Sequence, residues 1–163
     1  MRFWSISYPD LNNGLGCRVT LWVAGCSHHC KGCHNKQTWS FKSGRLFTDK
    51  DKENLFNVLD KEYIKGLTLS GGDPMDSFDE ILELVKEIKE KFPLKDIWLY
   101  TGYTLEEIRN NKSMSEIIPY IDYLVDGRFE KDKRNLSLKF RGSANQIIWV
   151  KDKEGNLVKS DLN

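Results

Sequence analysis

Short apolar runs mark the strands that this chain predicts. Each run is rich in β-branched or aromatic residues and is bounded by polar or turn-forming residues. On this basis we predict strands at residues 18–23, 67–69, 97–100, 123–125 and 146–150. The polar segment from Lys151 onward contains no such run, and we expect it to fray.

Between these strands, apolar residues recur at the spacing of one face of a helix. The first helix is predicted to begin at Thr48. A second is predicted after Ser77, which is followed three residues later by Glu80, the spacing of a capping box. Thr104 and Glu107 repeat that spacing before a third, shorter helix.

The alternation of strands and helices predicts an α/β fold with a parallel sheet. A complete barrel of eight strand–helix units typically needs about 250 residues, whereas this chain has 163. We therefore expect one domain, residues 1–163, with the fold of a partial, open (β/α) barrel. Several predicted strands are followed by glycine-rich or polar motifs, and α/β folds place their sites at these strand ends.

Composition and charge exclude several classes of function. Hydrophobic residues make up 39% of the chain and the net charge is +1, so neither nucleic acid nor a membrane surface is an expected partner. No apolar run reaches the roughly 18 residues of a membrane span, and no secretory signal opens the sequence. We expect a cytoplasmic, reducing location, in which cysteines serve as ligands or free thiols.

The first candidate chemistry is a cysteine motif directly after the first predicted strand. Cys26, Cys30 and Cys33 have C-x3-C-x2-C spacing, and thiolates suit either an iron–sulfur cluster or zinc. Cys17 lies outside this motif and is expected to be a small apolar residue rather than a ligand. A structural zinc site would need a fourth ligand from a neighbouring histidine, namely His28, His29 or His34.

The second candidate is the segment 70–74, Ser-Gly-Gly-Asp-Pro, which follows the next predicted strand. Gly71 and Gly72 would let a ligand approach the backbone closely. Asp73 could accept hydrogen bonds from an ammonium group. The same composition is also typical of a simple turn, so the segment alone leaves both interpretations open.

Taken together, the two motifs resemble those of the radical S-adenosylmethionine superfamily. Within it, the chain is similar to the family of activating proteins of anaerobic ribonucleoside-triphosphate reductase. The length of the chain agrees with this resemblance. Four further segments contribute to it: Cys33–Asn35, Tyr100–Tyr103, Val125–Phe129, and Phe140–Ser143 with Asn145 and Gln146.

The resemblance implies a barrel of the radical S-adenosylmethionine type, a 4Fe–4S cluster and S-adenosylmethionine. Cys26, Cys30 and Cys33 would hold the cluster. The cofactor would contact Gly32, Cys33, His34, Gly71, Gly72 and Asp73. Gly32 stands where the wider superfamily often has an aromatic residue, so contact with the adenine there would come from the backbone.

The implied activity is a reductive cleavage that yields a 5′-deoxyadenosyl radical. This radical would take a hydrogen atom from a glycine of the large reductase subunit and leave a glycyl radical there. A low-potential electron donor such as flavodoxin is implied as a second partner. No residue is predicted as a catalytic acid or base, because the cofactors carry the chemistry.

Two other functions stay open at this point. The chain could activate another glycyl-radical enzyme such as pyruvate formate-lyase, although such activators are usually longer. It could also be a non-catalytic interaction module that binds zinc.

Overall fold

Eight strands form one mixed sheet in the computed structural model, which describes residues 1–163. The strands are β1 (Arg2–Asp10), β2 (Arg18–Ala24), β3 (Arg45–Leu46), β4 (Gly66–Gly71), β5 (Asp96–Tyr100), β6 (Tyr123–Asp126), β7 (Ile147–Lys151) and β8 (Leu157–Lys159). Their order in the sheet is β3-β1-β2-β4-β5-β6-β7-β8. The two edge strands, β3 and β8, do not pair with each other, so the sheet is not closed.

Three α-helices connect the central strands. They are α1 (Asp49–Leu59), α2 (Phe78–Lys91) and α3 (Leu105–Asn110). Four 3-10 turns accompany them, at Lys36–Thr38, Pro74–Ser77, Met114–Tyr120 and Lys131–Lys133. None of the helices has the length and apolar character that crossing a membrane requires.

The prediction of a parallel sheet is correct for the centre of the sheet and wrong for its flanks. β2, β4, β5 and β6 are parallel, and each is joined to the next by a segment containing α1, α2 or α3. β7 pairs with β6 antiparallel. The connection between β6 and β7 contains no crossover helix, and a strand that returns without a crossover can pair only antiparallel.

The sheet has two unlike faces. On the helix face, side chains of the strands and of all three helices form one cluster of 24 buried apolar residues. The polar face is the opposite side, where the strands carry Arg18, Thr20, Thr68, Ser70, Trp98 and Tyr100. Helices on one face only are typical of barrels rather than of doubly wound sheets. The partial, open barrel nevertheless stays a prediction.

The lower end of the polar face, toward the start of the strands, is closed by a buried arginine. Arg18 is fully buried and donates hydrogen bonds to the hydroxyl of Thr68 (2.7 Å) and the carbonyl of Leu67 (2.8 Å). Its guanidinium lies 2.6 Å from the Asp96 carboxylate and 5.7 Å from the centre of the Trp98 ring. A buried charge needs such partners, and together they fill the space between β2, β4 and β5.

Three local features differ from the sequence prediction. β1 and β3 were not predicted at all. The segment after Lys151 does not fray, because β8 pairs with β7 and the Ser160 amide donates to the carbonyl of Ile148 (2.9 Å). Ser77 forms no capping hydrogen bond, since the chain around it is a 3-10 turn and its backbone is not extended. The capping box predicted at Thr104 is present.

Candidate functional site

The cysteine motif lies on a loop that follows β2, and we call residues 25–36 the thiol loop. Its start is held by backbone bonds to a later segment: the Gly25 amide donates to the carbonyl of Thr38 (2.7 Å) and the Cys26 amide to that of Trp39 (3.0 Å). Gly25 has a φ of 106°, which only glycine adopts easily. The loop therefore leaves the sheet through a sharp, fixed turn.

All three thiols of this loop line one cavity of about 120 Å³. The parallel order of β2, β4, β5 and β6 places their carboxyl ends at one edge of the sheet, so the loops after these strands meet there. The lining residues are Cys26, His28, Cys30, Cys33, Gly72, Asp73, Tyr100, Thr101, Gly102, Gly127, Phe129 and Gln146. We call this space the thiol cavity.

The thiol cavity brings together some of the predicted cofactor-binding residues and not others. Cys33, Gly72 and Asp73 line it, whereas Gly32, His34 and Gly71 do not. Cys17, which was not predicted as a ligand, lies outside it and packs against the apolar cluster of the helix face.

The buried side chain of Asp73 accepts three hydrogen bonds. It is only 2% exposed. One carboxylate oxygen accepts from the Met75 amide (3.0 Å), and the other from the Thr101 hydroxyl (3.0 Å) and the Gly102 amide (2.8 Å). The carboxylate predicted to accept from an ammonium group thus already ties the loop after β4 to the loop after β5.

The two glycines before Asp73 are required by neighbouring backbone. A Cβ atom on Gly71 would lie 2.4 Å from the carbonyl oxygen of Val23, and Gly71 has a φ of 111°. A Cβ atom on Gly72 would lie 2.1 Å from the carbonyl oxygen of Gly25. Close approach between the strand ends of β2 and β4 therefore accounts for both glycines, and contact with a cofactor stays a prediction for them.

His28 is a site residue that sequence reasoning missed. It was interpreted as a polar loop residue, but its side chain is only 5% exposed. The guanidinium of Arg128 donates to its Nδ1 (3.0 Å), which leaves the ring proton on Nε2. Nε2 lies 2.9 Å from the Asp73 carboxylate, although the contact lacks the angle of a hydrogen bond.

Further contacts hold His28 in place from the end of β5. Its ring meets that of Tyr103 edge-on, with 4.5 Å between the ring centres. It also fills the space beside Gly102, where any Cβ atom would come within 2.4 Å of the imidazole. The sequence offers one signal for this role of His28: each of its partners lies just after a predicted strand.

Asp76 fixes the thiol loop a second time. Its carboxylate accepts from the amide of Ser27 (2.6 Å), from the hydroxyl of the same serine (3.1 Å) and from the hydroxyl of Tyr103 (3.1 Å). Asp76 therefore links the segment between the first two thiols to Tyr103, which follows β5.

The thiols themselves fit an iron–sulfur cluster. All the cysteines are free, and burial raises the pKa of the Cys26 and Cys30 thiols, so these two hold their protons until a metal displaces them. The Asn35 amide donates to Cys33 Sγ (3.3 Å), and hydrogen bonds to sulfur are one means by which proteins tune such clusters.

Zinc fits this arrangement less well. No three His, Cys, Asp or Glu side chains are placed to hold one metal ion. Tetrahedral zinc needs its ligands around a single ion, whereas a cubane cluster takes one thiolate per iron. The three histidines also have separate neighbours, since His29 packs on Trp39 and His34 lies beside Phe129.

A larger polar groove of about 710 Å³ adjoins the thiol cavity. Gly102 and Gly127 line both spaces, and α3, Arg128 and Trp149 form other walls of the groove. Pockets for drug-sized ligands usually measure about 300–1,000 Å³. A ligand of nucleoside size would therefore extend beyond the thiol cavity.

Comparisons with known proteins agree with these features. A family described as a 4Fe-4S single cluster domain matches residues 12–149. A Pasteurella multocida protein named anaerobic ribonucleoside-triphosphate reductase-activating protein is 48% identical, over 87% of this chain and 93% of its own length. Proteins of the same name from Enterobacteria phage T4 and Escherichia coli K12 are 47% and 44% identical, over 90% and 94% of their lengths.

Proposed function

The chain belongs to the family of anaerobic ribonucleoside-triphosphate reductase-activating proteins, and from this premise we propose that it works by reductive cleavage of S-adenosylmethionine at a 4Fe–4S cluster. It is an iron–sulfur enzyme whose target is the anaerobic reductase. When bound, the two groups supply one-electron cleavage and a carbon radical that takes a hydrogen atom from a glycine of the reductase.

The observation that carries this proposal is that residues of both sequence motifs line the thiol cavity. Three thiols at cluster spacing face the same small space as Gly72 and Asp73, which come from a different strand end. The pairing of both motifs around one cavity supports a cluster that works together with a bound cofactor.

The protein's own residues position these groups rather than transfer protons. Cys26, Cys30 and Cys33 would each bond one iron, as three thiolates of a cubane do. Asp76 holds the thiol loop through two hydrogen bonds from Ser27, and Asp73 and Asp76 accept three more from residues that follow β5. A fixed loop keeps the thiols at one distance from the cofactor, and a narrow cavity limits water.

The single-face arrangement of the helices supports the partial barrel that the resemblance implies. In such a fold the polar face would line the interior, and the gap between β3 and β8 would leave one side open. An open side suits a protein substrate, because the target glycine belongs to a much larger chain. We also propose a low-potential donor such as flavodoxin as the source of the electron.

The decisive experiment is anaerobic activation of the reductase. The protein with its cluster is incubated with S-adenosylmethionine, a low-potential reductant and the reductase. We expect 5′-deoxyadenosine to form together with a glycyl radical, which electron paramagnetic resonance detects on the reductase.

A reductase in which alanine replaces the target glycine is the matched control and should give no radical signal. 5′-Deoxyadenosine that formed only with a small metabolite, with no radical on the reductase, would contradict the proposed target. Colourless protein containing zinc in place of iron would contradict the cluster as well.

A further inference from the structure

Exposed basic side chains are concentrated in the thiol loop and in the segment after β6, which meets that loop at Gly32 and His34. We call this set the basic rim, and its members are Lys31, Lys36, Lys131, Lys133, Arg134 and Lys139, all of them exposed. The first two belong to the thiol loop, and the other four follow β6. No site described so far uses them.

The charge of the basic rim contrasts with that of the rest of the chain. Residues 128–141 contain six basic and two acidic residues, and the thiol loop contains two lysines and no acid. These 26 residues therefore carry a net charge of +6, while the whole chain carries +1. The remaining residues therefore carry −5, so the molecule is strongly polarised although its total charge is close to zero.

The two basic segments are in contact with each other. A Cβ atom on Gly32 would lie 3.2 Å from the side chain of Lys131, and the rings of His34 and Phe129 are 6.0 Å apart. Gly32 separates Lys31 from Cys33, so Lys31 and Lys131 both lie beside the segment that carries the third thiol.

Little of this charge is neutralised within the protein. Among the rim residues, Lys133 alone forms an ion pair, with Glu130 at 2.7 Å. The side chains of Lys131, Arg134 and Lys139 have no acidic partner. An unneutralised, exposed patch of one sign attracts partners of the opposite sign and accelerates their association.

We infer that the basic rim is the docking surface for a small acidic electron-transfer protein. The inference rests on the proposed function. In the step it serves, one electron leaves the reduced low-potential group of the donor and enters the oxidised cluster, and no bond forms or breaks. Charge complementarity would place the donor against the loop that carries the thiols.

The geometry favours the electron donor over the reductase as the occupant. Hydrogen transfer needs contact between atoms, so the reductase glycine must enter the space that opens into the thiol cavity. The polar groove adjoins that cavity, and none of the six rim residues lines it. Electron transfer needs only proximity, which the rim provides from the outer side of the thiol loop.

The test compares two triple charge reversals in protein that holds its cluster. The rim variant is K133E/R134E/K139E, whose residues lie outside the thiol loop. The control is K50E/K112E/K153E, which changes the same amount of charge at exposed, unpaired lysines elsewhere. Stopped-flow absorbance then measures cluster reduction by photoreduced flavodoxin, an acidic donor, and by photoreduced deazaflavin.

With flavodoxin at low salt, we expect the rim variant to react about tenfold more slowly than the unmodified protein and the control. The difference should shrink as salt is added, because salt screens exposed charges. Reduction by deazaflavin should be equal in all three proteins. This last arm separates loss of docking from damage to the cluster.

Equal rates with flavodoxin in the rim variant and the control would overturn the inference. So would a rim variant that flavodoxin reduces normally but that fails to activate the reductase with deazaflavin, since the rim would then bind the reductase. If the unmodified protein with deazaflavin formed no glycyl radical, the proposed function itself would fail.

Discussion

The two faces of the sheet use the same strands in different ways. On the helix face, strand residues such as Leu69 and Leu99 join helix residues in one apolar cluster, where contacts are numerous and need little directional precision. On the polar face, Arg18 and Asp73 at opposite ends of the strands each depend on a few directed hydrogen bonds. Side-chain alternation in strands allows both within one sheet.

The helix face therefore mainly determines the stability of the fold, and the upper end of the polar face mainly determines its chemistry. Loss of one contact in the apolar cluster lowers the free energy of unfolding but leaves the strand ends in place. Loss of one directed bond at the upper end of the polar face changes the position of a functional loop while most of the core stays intact. The following changes test this separation.

The largest effect should come from the thiols. Replacement of Cys26, Cys30 or Cys33 by alanine should abolish the glycyl radical, because each thiolate would bond one iron and its loss leaves the cluster labile. Iron content and electron paramagnetic resonance measure this. Cys17→Ala is the matched control, since Cys17 lies outside the thiol cavity, and it should keep the signal.

Full iron content and full activation in any of the three variants would remove that cysteine from the ligand set. Thermal unfolding of the cluster-free proteins should differ little between these variants and the unmodified chain.

The next largest effect should come from Gly72→Ala. Its Cβ atom would lie 2.1 Å from the carbonyl of Gly25, the residue before Cys26, so the thiol loop must shift. We expect a severalfold loss of both bound iron and affinity for S-adenosylmethionine, measured by iron analysis and calorimetric titration. Gly155→Ala, in the turn between β7 and β8, is the control: nothing lies within 4 Å of the added methyl group, and the strain at its φ of 88° should lower stability but leave bound iron and cofactor affinity unchanged. Normal iron content with weakened cofactor binding would show instead that Gly72 serves the cofactor alone.

A substitution on the helix face should lower stability and leave activity unchanged. Ile88→Ala removes a fully buried side chain of α2 from the apolar cluster and should cost about 2–5 kcal/mol of unfolding free energy. Denaturant titration measures the loss. Radical formation well below the unfolding temperature should stay unchanged, and a loss of activity in fully folded protein would contradict the separation of the two faces.

The smallest effect concerns the helix starts. Thr104→Ala should cost about 1 kcal/mol, because the Thr104 hydroxyl accepts from the Glu107 amide (3.1 Å). Ser77→Ala should cost only a few tenths of a kcal/mol, since the Ser77 side chain makes no capping bond. Equal costs in chemical denaturation would mean that Ser77 caps α2 in solution.

The sequence predicts elements whose signals are local. The central strands and the capping box at Thr104 are of this kind, because an apolar run or the spacing of a capping box lies within a few consecutive residues. β1 is different: register shifts on either side of Ser5–Ser7 break its alternation, and it exists because β2 offers an edge. β8 depends in the same way on β7, with Leu157 as its single buried residue.

The site follows the same rule. The cysteine spacing is local and identified the ligand loop. The partners of Asp73 are distant in sequence, since Thr101 and Gly102 come from the next strand end and the imidazole of His28 from the preceding one. The Nδ1 atom of His28 accepts a hydrogen bond from Arg128, which is 100 residues away. No spacing rule connects such pairs, although each lies just after a predicted strand.

The bonds between the strand ends limit how these loops can be exchanged between proteins. The Asp73 amide donates to the carbonyl of Gly25 (2.7 Å), the Asp73 carboxylate accepts from Gly102, and the Thr101 amide donates to the carbonyl of Val125 (3.0 Å). A chimera that received only the thiol loop from a relative would lack that relative's own loop after β4, which is the loop bonded to it at Gly25. The smallest unit that can be transplanted to another scaffold is therefore the set of four loops that follow β2, β4, β5 and β6.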